Sequence, residues 1–395
     1  MRAERYDVIV VGLGAMGAAA LYQASKRGAR VLGIDRYEPP HTLGSSHGDT
    51  RITREAIGEG DFYVPLVQRS NAIWRELEAQ SGRTLFHRSG GLIIAPPGDS
   101  ASFHGEGDFV AASERVAAGH DIAHEVIDAD EIKRRHPLLK PRECDRAYYE
   151  PGAGLLRPER CIEAQLELAR QGGATIQTGE RAIGYEARTD GVTVTTERDR
   201  YQADGLILAA GAWMVDLAPA AARAGLRVCR QVIHWFEAED IRQFDPQVFP
   251  WVIWIGDTLA DFWSVFPAPP AGVNGVKLVT EQYHRSTHPD SVSREVTAAE
   301  YDDMYYRLTL PRLDGLRNKP IRAEVCLYTV TPDEHFAIDF HPESERVVIA
   351  SPCSGHGFKH SAAVGEALAG MALDGESEFD SSAFSLARLA GSATD

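Results

Sequence analysis

Near the N-terminus the chain runs Tyr6-Asp-Val-Ile-Val-Val-Gly12-Leu-Gly14-Ala-Met16-Gly17, an apolar run ending in three spaced glycines. Residues 18–27 carry a helical pattern, Gly28 stops it, and a second apolar strand over 30–34 ends at Asp35. This order predicts a βαβ unit whose parallel strands are buried on both faces. In such a unit Gly12 permits the tight turn, Gly14 lets a pyrophosphate approach the backbone, and Gly17 lets helix and strand pack closely. The helix N-terminus offers free N–H groups to phosphate. Asp35 stands about 20 residues on, where a carboxylate binds a ribose hydroxyl and disfavours a 2′-phosphate. The unit therefore points to a dinucleotide, without separating NAD from FAD.

The same strand–glycine–helix punctuation returns twice. An apolar run over 205–210 meets Gly211-Ala-Trp213, and a strand over 347–350 meets Gly355-His356-Gly357 before a helix over 361–373. Further helices are expected over 64–80 and 158–171, a strand over 174–178 and a polar strand pair over 183–197. From 231 to 279 the pattern alternates like antiparallel sheet. A nucleotide-binding domain assembled from separated segments, with a second domain inserted, fits this order. A long FAD, which touches several such segments, fits better than NAD.

Composition narrows the partners. A net charge of −16 over 395 residues excludes a basic stripe for nucleic acid. No apolar run reaches the roughly 20 residues that cross a bilayer, and no leader precedes the first strand. The five cysteines, Cys144, Cys161, Cys229, Cys326 and Cys353, are odd in number and lack metal-type pairs, so no metal is expected. They read as reduced thiols of a cytoplasmic protein.

Three further motifs carry a resemblance: His47-Gly-Asp-Thr50-Arg51-Ile-Thr-Arg54, Cys326-Leu-Tyr328 leading into Thr331-Pro-Asp-Glu-His335-Phe, and Ser354-Gly355-His356-Gly357-Phe358-Lys359. With the N-terminal fingerprint they resemble the monomeric sarcosine oxidase and N-methyltryptophan oxidase family, from Tyr6 to the last helix. The resemblance implies an α/β fold with a Rossmann-type FAD domain of the glutathione-reductase and D-amino-acid-oxidase kind. Segments 1–85, 146–215 and 326–395 would form it, and 86–145 and 216–325 a substrate domain on a mainly antiparallel sheet. It also implies a monomer that oxidises a secondary amine of an amino acid to an imine. The imine hydrolyses to aldehyde plus amine, and O₂ becomes hydrogen peroxide.

By the same resemblance FAD is joined covalently to Cys326. Its other contacts are Gly12, Gly14, Met16, Gly17, Asp35, Arg36, Ser45, Arg51, Ala182, Gly211, Trp213, Gly355, His356, Gly357, Phe358 and Lys359. Lys277 matches the oxygen-activating lysine, and His47, Thr50 and Arg51 stand with it as catalytic residues. Arg54 and Lys359 would grip the substrate carboxylate, which suits a guanidinium fork, with Tyr328 and Ser264 lining the pocket. Arg51 and Arg54, three apart, would share a face on a helical turn.

The chain departs from the family in the part that holds the amine substituent. Ser46-His47 replaces a histidine pair, Trp263-Ser264 replaces a pocket tyrosine, and Ile57 replaces a tyrosine before Gly58. The segment between Phe266 and Lys277 is about two residues longer than the family's. The pocket histidine is Glu281 by direct count, or His284 if the strand bulges. Trp251, Trp254 and Trp263 either line a pocket for a bulkier or aromatic amine or pack the sheet. Substrates such as N-methyltryptophan, pipecolate or a glycated amino acid stay open beside sarcosine. So do a dehydrogenase that passes electrons to a carrier, against which Lys277 counts, and a non-catalytic dinucleotide-binding protein.

Overall fold

The computed structural model describes residues 5–98, 104 and 107–391. Strands Arg5–Val11 and Val31–Ile34 pair in parallel across the helix Ala15–Lys26, giving the expected βαβ unit. Val8 and Val10 have no exposed surface, each worth roughly 1.5–3 kcal/mol as fully buried apolar side chains. Around this unit an eight-stranded sheet grows by parallel addition of Thr175–Gln177, Arg200–Leu208 and Ser344–Ser351. Antiparallel strands Ala182–Arg188, Gly191–Thr196 and Ala337–His341 complete it. Helices Val64–Ser81, Pro158–Gln171 and Ser361–Asp374 bury their apolar faces in the core on the side of Ala15–Lys26.

A second eight-stranded sheet is antiparallel except where Trp251–Trp254 pairs with Gly91–Ala95. Its strands include Arg227–Ala238, Trp263–Phe266, Val276–Val279 and Leu316–Val330. The expected boundary at 146 falls at the start of strand Arg146–Glu150 and that at 326 inside strand Leu316–Val330, both of this sheet. Cys326 is thus carried by a strand that pairs along most of Arg227–Ala238. A three-stranded sheet of Arg51–Thr53, Gly154–Leu156 and Phe86–Arg88 lies beside these.

Trp251, Trp254 and Trp263 settle the open question about the aromatic segment. Trp254 and Trp263 belong to the apolar core of the second sheet, their rings 6.3 Å apart. Trp263 Nε1 donates to Thr309 Oγ1 at 3.2 Å. Trp251 lies so close over Gly91 that a Cβ there would sit 2.1 Å from its ring. All three pack the sheet. Alternation along Trp263–Phe266 instead turns Ser264 and Phe266 toward a cavity.

Candidate active site

One cavity of about 410 Å³ runs from the N-terminal glycines to the second sheet, within the roughly 300–1,000 Å³ usual for cofactor and ligand sites. At its nucleotide end the backbone geometry demands glycine. Gly12 has φ +89°, and a Cβ on Gly17 would lie 1.7 Å from the Gly12 carbonyl oxygen. Gly14, Met16, Asp35, Arg36, Ser45, Ala182, Gly211 and Trp213 all line the cavity. Asp35 accepts from the backbone N–H of Leu13 and of Tyr37, both at 2.7 Å. Each carboxylate oxygen keeps a lone pair for a hydroxyl. Burial raises the pKa of Asp35, and the two N–H donors oppose that shift. Arg36 and Trp213 Nε1 are held at the rim by Asp290, at 2.6 and 2.7 Å. Ser46, which sequence reasoning noted only as a departure, accepts from Ala15 N at the helix start, 3.3 Å away.

Arg51 and Arg54 do not share a helical face. Residues Arg51–Thr53 form a strand, where side chains alternate and positions three apart point to opposite sides. The two guanidiniums therefore serve two different clusters, although both reach the cavity wall.

The first cluster gathers Arg51, Lys277, Thr50, His47 and Cys326. Arg51 donates to the carbonyls of Thr50 and Ser45, at 2.8 and 2.9 Å, and lies 3.7 Å from Cys326 Sγ. Lys277, 2% exposed, donates to the carbonyls of Gly48 (3.1 Å) and Thr50 and to Thr50 Oγ1 (3.3 Å). Its ammonium stands 4.1 Å over the Phe266 ring. Burial first, and then the charge of Arg51, hold its pKa well below the ordinary lysine value. His47 Nδ1 meets Glu324 Oε2 at 3.0 Å. Burial opposes its charged form, but Cys326 and Glu324 raise its pKa to about 9. Burial likewise opposes ionisation of Cys326, and His47, Arg51 and Lys277 outweigh it, bringing the thiol down to about 7. Arg51 and Ser45 line the cavity, while Lys277, Thr50, His47 and Cys326 stand directly behind that wall.

The second cluster joins Arg54 and Lys359 to a carboxylate that sequence reasoning missed, Glu59. Arg54 Nη2 lies 2.5 Å from Glu59 Oε2, Lys359 Nζ lies 3.8 Å from Oε1, and His356 Nδ1 lies 4.0 Å away. All four side chains are buried and line the cavity. Burial works against the Glu59 carboxylate, but Arg54 and Lys359 keep its pKa well below the usual range. Burial lowers Lys359 to about 7, opposed by Glu59. Lys359 also donates to the His356 carbonyl at 2.8 Å. Arg54 Nε is buried with no hydrogen-bond partner among the described residues, a donor left unsatisfied beside the cavity. The signal for Glu59 was present: it lies five residues after Arg54, between Gly58 and Gly60.

Between the clusters sit Tyr328, Ser264, Gly355, Gly357 and Phe358, all on the cavity wall. Gly355 has φ +84°, and a Cβ there would meet the Tyr283 hydroxyl at 2.7 Å. His356 stacks on Phe336, 4.8 Å between centroids. Of the two candidates for the family's pocket histidine, Glu281 lines the cavity and His284 is exposed. Ile57 is fully buried in the core of the first sheet.

The glycine geometry, the Asp35 carboxylate and the continuous cavity fit FAD, and so do the relatives. A family model described as FAD dependent oxidoreductase matches residues 7–371. Monomeric sarcosine oxidase from Bacillus sp. (strain B-0618) is 39% identical over 388 residues, 98% of this chain and 96% of that protein. N-methyl-L-tryptophan oxidase from Yersinia pestis (strain Pestoides F) is 34% identical over 391 residues, 97% and 99% of the two chains. Among solved structures, the open form of NikD, an unusual amino acid oxidase essential for nikkomycin biosynthesis, shares the fold. Its TM-score is 0.82 at 24% identity, with 97% of each chain covered. Among the described residues no helix is long and apolar enough to cross a membrane. The chain belongs to the FAD-dependent oxidoreductase family and, within it, to the group of the monomeric sarcosine oxidases and N-methyltryptophan oxidases.

Proposed function

We propose that this chain is an oxidase of N-substituted amino acids whose carboxylate is held by Arg54 and Lys359. The observation that carries this reading is the second cluster: two buried cations converge on a carboxylate inside the cavity, and Arg54 Nε still has an open donor. A substrate carboxylate meets there the partners that Glu59 meets in its absence. FAD, when bound, would supply the two-electron oxidation at the carbon next to nitrogen, so that the imine hydrolyses and O₂ takes the electrons as hydrogen peroxide.

The residues of this chain set the conditions. Gly12, Gly14 and the start of helix Ala15–Lys26 take the pyrophosphate, and Asp35 takes a ribose hydroxyl. Arg54 and Lys359 fix the substrate end, so the amine falls within the wall of Tyr328, Ser264 and Phe266. Lys277 and Arg51 would hold positive charge where negative charge develops as O₂ is reduced. The 3₁₀ turn Phe358–His360 and helix Ser361–Asp374 begin at the cavity wall beside Phe358 and Lys359, where an N-terminal dipole would favour negative charge. Cys326, acidified by His47 and Arg51, is the group we assign to covalent attachment of the flavin. Segments around the first sheet form the cofactor domain and the second sheet the substrate domain. The five free cysteines fit a reducing, cytoplasmic setting, and the named relatives suggest a monomer.

Purified enzyme turning over sarcosine or N-methyl-L-tryptophan in air-saturated buffer tests the oxidase assignment. One peroxide per imine is the expected result. Rapid flavin reduction without peroxide would transfer the chain to the carrier-linked dehydrogenases.

A further inference from the structure

Glu281 follows strand Val276–Val279, which carries Lys277, and its carboxylate faces the cavity. Its side chain is 12% exposed. Tyr283 OH donates to Oε2 at 2.8 Å and Tyr328 OH to Oε1 at 3.3 Å. One lone pair on each oxygen is thus left for a ligand. His104 Nε2 stands 4.0 Å off, its other ring nitrogen 2.9 Å from Glu334. Oε1 also lies 3.5 Å from where a Cβ on Gly355 would be, so Glu281 borders the Gly355–His356 turn.

The two acidic groups at this end of the cavity are held differently. Glu59 is neutralised by Arg54 and Lys359, whereas the groups bonded to Glu281 are neutral hydroxyls and the nearest ring nitrogen, of His104, stands 4.0 Å away. A buried carboxylate that, among the described residues, has no bonded lysine or arginine is a place for a cation. An amino-acid substrate brings it: its amine enters as ammonium, with an ordinary pKa of about 10, and must shed a proton before nitrogen can form the imine double bond.

We propose that Glu281 binds the ammonium of the substrate and takes its proton, acting as the general base of the oxidation. This rests on the reading that the cavity holds an amino acid by its carboxylate. The step is R₂NH₂⁺ plus Glu–COO⁻ giving R₂NH plus Glu–COOH, and the proton leaves to water after the product departs. The titratable groups facing Glu281 are His104, Tyr283, Tyr328, Glu334 and Lys359. Burial, the largest influence, raises its pKa, and His104 and the tyrosine hydroxyls oppose that rise. The net shift suits a proton acceptor better than an ordinary surface carboxylate.

An isosteric pair separates charge from shape. Glycine betaine and 3,3-dimethylbutanoate share a carboxylate and a three-methyl head, and differ in whether the head is cationic. Binding to oxidised holoenzyme is read from the flavin absorbance at pH 8. The wild type should bind betaine at least about tenfold more tightly, and Glu281→Gln should erase that preference while changing 3,3-dimethylbutanoate affinity less than about twofold. Equal affinities in the wild type, or a preference that survives Glu281→Gln, would overturn the proposal. If neither compound perturbs the wild-type flavin, the carboxylate-binding reading falls and the proposal with it. In anaerobic stopped-flow with sarcosine, the wild-type reduction rate should be level from pH 8 to 9. In Glu281→Gln it should rise by up to about tenfold per pH unit, because solution must then deprotonate the amine. Identical pH profiles would remove Glu281 from proton transfer.

Discussion

The cavity is flanked by two buried cation clusters built on opposite principles. Around Arg51 and Lys277 the acceptors bonded to the cations, among the described residues, are carbonyls, a hydroxyl and a thiol. Around Arg54 and Lys359 the acceptors include, beside the His356 carbonyl, a full carboxylate, Glu59. Neutral carbonyls and hydroxyls orient a cation without cancelling its charge, and the Cys326 sulfur would be neutral too once joined to a flavin, which leaves a standing positive potential. A carboxylate cancels it, and the pair is neutral until another carboxylate competes. The first arrangement suits charge that appears during reaction. The second suits a ligand that arrives already charged.

The largest expected effect breaks the neutral pair. Arg54→Met leaves Glu59 buried beside a single weak cation and should cost about 3–5 kcal/mol of stability in urea unfolding. Adding Glu59→Gln should recover most of that loss without restoring affinity for a carboxylate ligand. Recovery of both would show that Arg54 serves only Glu59. Lys277→Met should slow reoxidation of reduced enzyme by O₂ about 10²–10³-fold, with a much smaller effect on reduction by substrate. Equal losses in the two half-reactions would erase the distinction between the clusters.

Two smaller effects concern pH. Lys359 has a folded pKa near 7, lowered from the usual value, so it is charged below that pH and neutral above it. Affinity for a carboxylate ligand should be full below pH 7 and fall by up to about tenfold per unit above it, and Lys359→Met should flatten the curve. In the other cluster, Cys326 near 7 and His47 near 9 define a window. Covalent incorporation of FAD into apoprotein should be fastest between those values. It should slow in acid as the thiolate is lost, and in base as His47 loses its proton. Glu324→Gln removes one of the two partners that keep His47 charged, the other being Cys326, so it should slow incorporation a few-fold, about twofold to fivefold, and lower the upper limit. An unchanged profile would leave Glu324 as a packing residue.

What the chain disclosed in advance follows from how local each constraint is. Gly12, Gly17 and Asp35 belong to one continuous βαβ segment, in which Gly17 meets Gly12 and Asp35 meets Leu13, and only the close approach of Ala209 to Gly12 comes from further along the chain. The cluster of His47, Arg51, Lys277 and Cys326 was reached through resemblance, because its members come from a loop, two strands of the second sheet and the edge of a third sheet. The helical-turn argument for Arg51 and Arg54 failed because a three-residue strand forms there, pairing with Gly154–Leu156, far along the chain. Glu59, Glu281 and His104 meet only through tertiary packing. The tryptophans look alike in sequence, and the sheet's alternation together with the gap over Gly91 sends them into the core.

The central claim, that Arg54 and Lys359 present an amino-acid amine to a bound flavin, is tested most directly by anaerobic bleaching. Oxidised enzyme would be mixed in turn with sarcosine, N-methyl-L-tryptophan, L-pipecolate, L-proline and a glycated amino acid. At least one should bleach the flavin in the wild type, and the same compound should fail, at equal concentration, with Arg54→Met. A flavin that stays oxidised with every one of them, or that Arg54→Met reduces as readily as the wild type, would contradict it.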